Sequence, residues 1–288
     1  METRRHVHET WSGAFRGEYR AATRAWGSYC PVWHTGQAVR ALVMAAPFAG
    51  GGTLDAACAG GDFILRQAVK DGRILRLREY AYVIVPLEYR AAGAPPPSWF
   101  IHDLMTAMKR PYYVGLLSAA ALHGASHQQP QVFQVMTDCS VRPIAAGRTK
   151  IQFFASKYLS RAAAKEIKTP AGVMRVSTPE TTVVDLMRFA KSAGHLDHVA
   201  AVIAELSPSL NPKRLIAAER AVDDIPNAQR LGYILDRVRQ RAISDVLHAC
   251  VEPRIQRTQL LRPGRPANGA TEDRRWRLLI NSPLEVES

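Results

Sequence analysis

Several groupings in this 288-residue sequence carry residue types able to do chemistry, and in each the spacing decides against it. His123 and His127 stand four apart, the interval of a helical metal pair, but Gly124 and Ser126 interrupt the helix and no third ligand is near in sequence. Glu180 and Asp185 offer two carboxylates for general acid–base work. Five residues along a helix set them well apart around its axis, and a first-turn glutamate is already accounted for by the helix dipole. A restriction-type nuclease needs an acid two residues before a strand lysine, to hold magnesium beside the base. Before Lys150 that place is held by Arg148. Ser118, inside LLSAAALHG, lacks the flanking glycines of a nucleophile elbow. Gly50, Gly51 and Gly52 lack the Lys-Ser/Thr that completes a phosphate loop. No catalytic residue, metal site or cofactor is expected.

Binding is a better prospect. Lys and Arg number 38 against 25 acids, a net +13, which makes a polyanion the first partner to consider, nucleic acid ahead of membrane. The surplus is clustered. Arg142, Arg148, Lys150, Lys157, Arg161, Lys165, Lys168 and Arg175 face only Glu166 and suggest a basic stripe. A second run, Arg237 to Arg277, contains Arg239, Arg241, Arg254, Arg257, Arg262, Arg265, Arg274 and Arg275. Any single arginine reads as ordinary solvated surface; clustering carries the argument. Cys30, Cys58, Cys139 and Cys250 form no C-x-x-C pair, METRRHVHET has no apolar signal core, and Pro47 with the triple glycine breaks the apolar run Ala41 to Ala59. A soluble, cytoplasmic protein is expected.

The elements that would position these cations follow from periodicity. Residues 1–36 form a poorly defined segment. Helices are expected from Gln37 to Ala46, from Leu54 to Ala59 after a Thr53 cap, and from Phe63 to Lys70 after an Asp62 cap, ending at Asp71-Gly72. Arg73 to Arg78 largely alternates basic with apolar and pairs with a strand from Ala81 to Val85. Together these predict a winged helix-turn-helix over 37–90, with Arg66, Gln67 and Lys70 as groove readers and Arg73, Arg76 and Arg78 on the phosphates. The plain alternative is an amphipathic helix and hairpin capping the next domain. Residues 91–97, with Pro95 to Pro97, read as a stiff linker with no helical or strand option.

A second domain is expected over 98–288. Ser98 caps a helix from Trp99 to Lys109, with Phe100, Leu104 and Met108 on one face. A short helix carries Leu116, Leu117, Ala120 and Ala121 on one face and stops near His123, before Gly124. Val132, Phe133, Val135 and Met136 predict a central strand under it, and Ile151 to Ser156 and Val173 to Val176 add strands to a small mixed sheet. Thr178-Pro179 starts a helix with Val183, Val184, Leu186 and Met187 inward. Helices then follow over Leu196 to Leu206, Asn211-Pro212 to Ala221 and Ala228 to Arg239, and Trp276, Leu278 and Ile280 alternate in a final strand. The fold class is α+β: an N-terminal winged helix-turn-helix, then a mixed α/β domain with a small sheet and flanking helices.

Four stretches stand in one order: Tyr112 to Thr137, STPETTVVDL at Ser177 to Leu186, RLGYIL at Arg230 to Leu235, and WRLLINSPLEVE from Trp276. Together they resemble the AbiEi family of type IV toxin–antitoxin antitoxins, over about residues 60–288. The family places a glycine before the wing tyrosine, where this chain has Arg78-Glu79-Tyr80-Ala81-Tyr82. The resemblance implies a winged-helix regulator, not an enzyme, that represses its own operon at promoter inverted repeats, as a dimer or paired monomers. It further implies that the protein counteracts a nucleotidyltransferase-like toxin without obligatory contact, a setting of abortive infection and phage defence. It marks no residues for antitoxin activity, for which Arg142 to Arg175 are the expected surface. Two alternatives remain: a restriction-type nuclease, discriminated by magnesium-dependent cleavage, and a non-DNA interaction module whose N-terminal domain has decayed.

Overall fold

The computed structural model describes residues 65–78, 81–125 and 131–284, with two further two-residue strands, β1 (Tyr19–Arg20) and β2 (Ala25–Trp26), paired antiparallel. The helices expected at Gln37–Ala46 and Leu54–Ala59, the Asp62 cap, the triple glycine and His127 lie outside the described residues. The chain divides into two compact units. One holds the described residues up to Pro96 with Ala145–Arg148, and the other runs from Pro97 to Ile144 and from Thr149 onward.

In the first unit, helix α1 (described over 65–70) ends at Asp71-Gly72, where Gly72 takes φ +64° and its N–H, like that of Arg73, bonds back to the helix carbonyls. Only a residue without Cβ enters that left-handed conformation at no steric cost. The chain then forms a hairpin of β3 (Ile74–Arg78) and β4 (Ala81–Ile84), with a bulge between Arg76 and Arg78. Ala68, Ile74, Leu77 and Val85 are buried. The stretch read as an irregular linker is different: Leu87–Ala92 and Pro97–Trp99 are 3-10 helices, the first closed by Gly93 at φ +78°. Proline supplies a helical φ at a first turn, which is why Pro97 starts one instead of preventing it.

In the second unit, Pro97–Trp99 displaces the expected Ser98 cap. Helix α2 is Ile101–Ala107, and its N-cap, Phe100, makes no side-chain cap bond. A six-stranded mixed sheet follows in the order β7-β8-β6-β5-β10-β9: β5 (Tyr112–Val114), β6 (Val132–Thr137), β7 (Ile144–Ala146), β8 (Thr149–Ala155), β9 (Ala164–Thr169) and β10 (Gly172–Ser177). The expected strands are β6, β8 and β10; the three-residue β5 and β7 were not foreseen, nor was β9, because AKEIKT is polar on both faces, as an edge strand can be. Register fixes the sides. Tyr113, Met136 and Phe154 pair across β5, β6 and β8 and belong to the helical core, so that row faces the helices. Val114, Val135 and Phe153 form the opposite row, joined by Val176 of β10.

Helix α3 (Leu116–Leu122) packs on β6 and ends at His123, before Gly124, as expected. Its buried face differs from the expected one: Leu116, Ser118, Ala119 and Ala120 are buried, while Leu117 and Ala121 are only half-buried. Leu116 enters the helix at φ +52°, out of helical phase, so counting the period from it misplaces the face. Helix α4 (Pro179–Arg188) starts at Thr178, whose hydroxyl accepts the Thr181 N–H. Helices α5 (His195–Leu206), α6 (Pro212–Val222), α7 (Ile225–Arg237) and α8 (Arg241–Val251) complete the bundle. The Asn211 carboxamide accepts the N–H groups of Lys213 and Arg214, a cap worth about 1 kcal/mol. Helix α8 was missed although Ile243, Leu247 and Val251 stand at helical spacing and are buried; what it lacks is a capping side chain at its start, Gln240.

A three-stranded sheet, β11 (Gln259–Leu260), β13 (Leu278–Ile280) and β12 (Thr271–Asp273), closes the unit. Trp276 was expected in the last strand but precedes it, fully buried against Gly232 of α7. The motif RLGYIL thereby acquires a physical meaning. Gln229 donates to the carbonyl of Trp276, Arg230 donates to that of Leu260, and a Cβ at Gly232 would lie 2.1 Å from the indole.

Candidate nucleic-acid interface

Helix α1 presents Arg66 and Lys70 one turn apart, with Gln67 beside them, all exposed. The Gln67 carboxamide donates to Asp71 at 3.0 Å, which fixes it at the helix end. Arg73 opens the hairpin, exposed, 3.8 Å from the Asp71 carboxylate. Arg76 is exposed and its Nε donates to the Arg78 carbonyl across the bulge, while Arg78 itself is half-buried. Six candidate residues thus fall on one helix and the strand after it, in one unit.

The eight basic residues of the second cluster, Arg142, Arg148, Lys150, Lys157, Arg161, Lys165, Lys168 and Arg175, are all exposed, but they do not make one stripe. Lys150 is on β8, with Arg142 and Arg148 in the loops around β7, whereas Lys165 and Lys168 are on β9 and Arg175 on β10. Four strand intervals of about 4.8 Å separate β8 from β9, roughly 19 Å. Lys150 stands opposite Val132, so no acid joins it across the pair. Lys157 and Arg161 lie on the crossing that links β8 to the β9 edge.

The second basic run is largely consumed internally. Arg254 pairs with Glu219 at 2.7 Å and Asp223 at 2.9 Å; Arg275 pairs with Asp245 at 2.6 Å and Asp236 at 3.3 Å. Arg241 shares those two aspartates, Arg262 bonds Asp197 and the Pro283 carbonyl, and Arg277 donates to the Ile255 carbonyl. The Asp236 carboxylate also accepts the Trp276 indole N–H and the Ser244 hydroxyl. Arg262 and Arg275 fasten the C-terminal segment to α5, α7 and α8, and Arg254 ties the chain after α8 to α6.

One polar cluster was invisible in the sequence. The Tyr113 hydroxyl donates to Asp185 at 2.7 Å across 72 residues of chain, and Arg188 donates to the same carboxylate at 3.2 Å and to Ser156 at 3.4 Å. Asp185 is 2% exposed, and burial pushes its carboxyl up to about 6 against the opposing pull of Tyr113 and Arg188. Burial, then the Asp185 charge, drives the Tyr113 phenol above its ordinary value. The Arg188 guanidinium lies 5.0 Å from the Tyr158 ring centroid, and the Lys157 ammonium 4.9 Å from it. This is an ion-paired brace inside the fold: with the phenol and guanidinium both already committed to the carboxylate, it offers no group to a reacting molecule. His123, the described half of the histidine pair, bonds the Ser177 carbonyl at 2.7 Å, and burial lowers its pKa. Among the described residues no group of three or more His, Cys, Asp or Glu could hold a metal.

Residues 113–237 match the model of the AbiEi antitoxin C-terminal domain. The chain carries an AbiEi-type antitoxin domain. The matched segment runs from the Tyr113 row of the sheet to the end of α7, so the braced Tyr113 and Asp185 lie inside the AbiEi domain, as does Gly232, whose partner Trp276 lies beyond it. The RV2827C protein from Mycobacterium tuberculosis, known from a crystal structure, resembles this chain with a TM-score of 0.58 over 85% of this chain and 91% of its own. At 14% identity that likeness is one of fold. No curated protein sequence matches the chain. Among the described residues no helix is long and apolar enough to cross a membrane.

Proposed function

We propose that the protein is the antitoxin and transcriptional autorepressor of a type IV toxin–antitoxin operon. It binds inverted repeats in its own promoter and counteracts a nucleotidyltransferase-like toxin without obligatory contact. The observation that carries this reading is the AbiEi antitoxin domain at residues 113–237. The exposed Arg66, Gln67 and Lys70 on α1, followed by a hairpin bearing Arg73, Arg76 and Arg78, supply the DNA reader: the helix reads base edges and the strand contacts phosphates.

The test is fluorescence anisotropy of the full chain on its upstream DNA and on a scrambled duplex, at several salt concentrations. Preference for the upstream sequence, relaxed by Arg66→Ala and Lys70→Ala, is the expected result. Each phosphate contact adds about −0.9 to the log–log salt slope. Equal affinity for both duplexes would remove the repressor half of the proposal.

A further inference from the structure

The two basic runs look alike in sequence and differ in the fold. The arginines from 241 to 277 are mostly joined to carboxylates or carbonyls of their own unit. No ion pair among the described residues engages Lys157, Arg161, Lys168 or Arg175, and all four are exposed. Register puts them on one side of the sheet. Val176 pairs with Val114, so Arg175, one residue earlier, points to the opposite face, the face of Tyr113. Lys168 pairs with Val173, two residues from Arg175, and shares that face. Lys157 and Arg161 belong to the crossing from β8 to β9, whose Tyr158, Leu159 and Ala162 pack on the helical core, which is again the Tyr113 side.

The crossing is held in place. Ser156 accepts the Tyr158 N–H, Arg188 reaches both Ser156 and the Tyr158 ring, and Asp185 with Tyr113 fixes Arg188. The brace therefore preorganises the segment that carries two of the four cations. Glu166, opposite Arg175, is the one acid in the β9–β10 hairpin and leaves the face net positive.

We infer that Lys157, Arg161, Lys168 and Arg175 form a binding track for the phosphodiester backbone of nucleic acid, sequence-independent and separate from the α1 reader. The inference rests on the proposed function only in expecting nucleic acid as the partner. Backbone phosphates fit because exposed cations with no ion pair to break need only release counterions.

The test uses the full chain with all four cations changed to Gln. The control is Lys213→Gln, Arg214→Gln, Arg220→Gln and Arg237→Gln, which removes the same charge from exposed positions on α6 and α7. Affinity is measured over a salt series on the upstream duplex, a scrambled duplex and a single strand of equal length, with thermal melting of each variant alongside. The track variant is expected to lose affinity at least about tenfold on one or both backbone forms, with the salt slope reduced by about 0.9 per contact on duplex and about 0.7 on single strand. On duplex, the upstream and scrambled sequences should weaken by the same factor. Which form weakens names the backbone. Equal loss in the control means that net charge alone acts, and no loss means that the β9 lysine merely guards a sheet edge; either overturns the track. Loss of the upstream preference in the wild type would instead count against the repressor reading and leave this one standing.

Discussion

Asp185 sets burial directly against charge. Its carboxyl titrates near 3.8 when unfolded and near about 6 in the fold, because desolvation outweighs the Tyr113 hydroxyl and Arg188. Between those values the folded protein holds a proton that the unfolded chain has released. The stability this group contributes is therefore complete below about pH 3.8 and is lost as pH rises through about 6, by roughly 3 kcal/mol in all. Asp185→Asn cannot ionise, so its stability relative to the wild type should improve by about that amount between pH 4 and pH 7, measured by urea unfolding. A difference that stays constant over this range would refute the shift. Tyr113→Phe removes a donor to the carboxylate and should cost about 2 kcal/mol at pH 7, less at pH 4, where the acid is neutral. Equal losses at both pH values would show the hydroxyl to be indifferent to the charge. None of this was legible in the sequence, where Asp185 was weighed only against Glu180. That neighbour does other work: its Oε1 accepts the Asn211 N–H and ties α4 to the start of α6.

Among elements, the legible ones announce themselves locally. Thr178-Pro179 and Asn211-Pro212 carry a capping side chain followed by a proline, and both helices start there. Strand β9 pairs with its immediate neighbour β10 but is polar on both faces, helix α8 has the spacing of Ile243, Leu247 and Val251 but no capping side chain, and the position of Trp276 depends on a partner distant in sequence. Gly232 illustrates the difference. Its motif was recognisable, but its reason lies in the indole 44 positions later, whose ring atoms stand 2.1 to 2.3 Å from where a Cβ would be. Gly232→Ala should destabilise by about 3 kcal/mol through overpacking and shift the Trp276 fluorescence. Adding Trp276→Leu should recover part of that loss, because the clash needs both side chains. Simple additivity in the double variant would mean that α7 and the C-terminal sheet are not coupled through this contact.

For the whole molecule, the sequence carries a net charge of +13, and among the described residues the basic side chains serve two uses, fastening and display. Two groups of displayed cations fall in different compact units: α1 and its hairpin in one, the β8–β10 side of the sheet in the other. On the proposed reading a nucleic-acid ligand meets a reader in one unit and a backbone track in the other. The consequence is testable in cells that carry a reporter on the native promoter together with an inducible toxin. Arg66→Ala with Lys70→Ala should raise reporter output several-fold and leave rescue from the toxin intact, since neither residue belongs to the AbiEi domain at 113–237. Aimed at that domain, Gly232→Ala should reduce rescue as the folded fraction falls; a loss of about 3 kcal/mol is a large share of a typical domain's stability. If the α1 variants abolished rescue as well, repression and neutralisation would draw on one nucleic-acid surface, and the assignment of separate roles to the two units would fail.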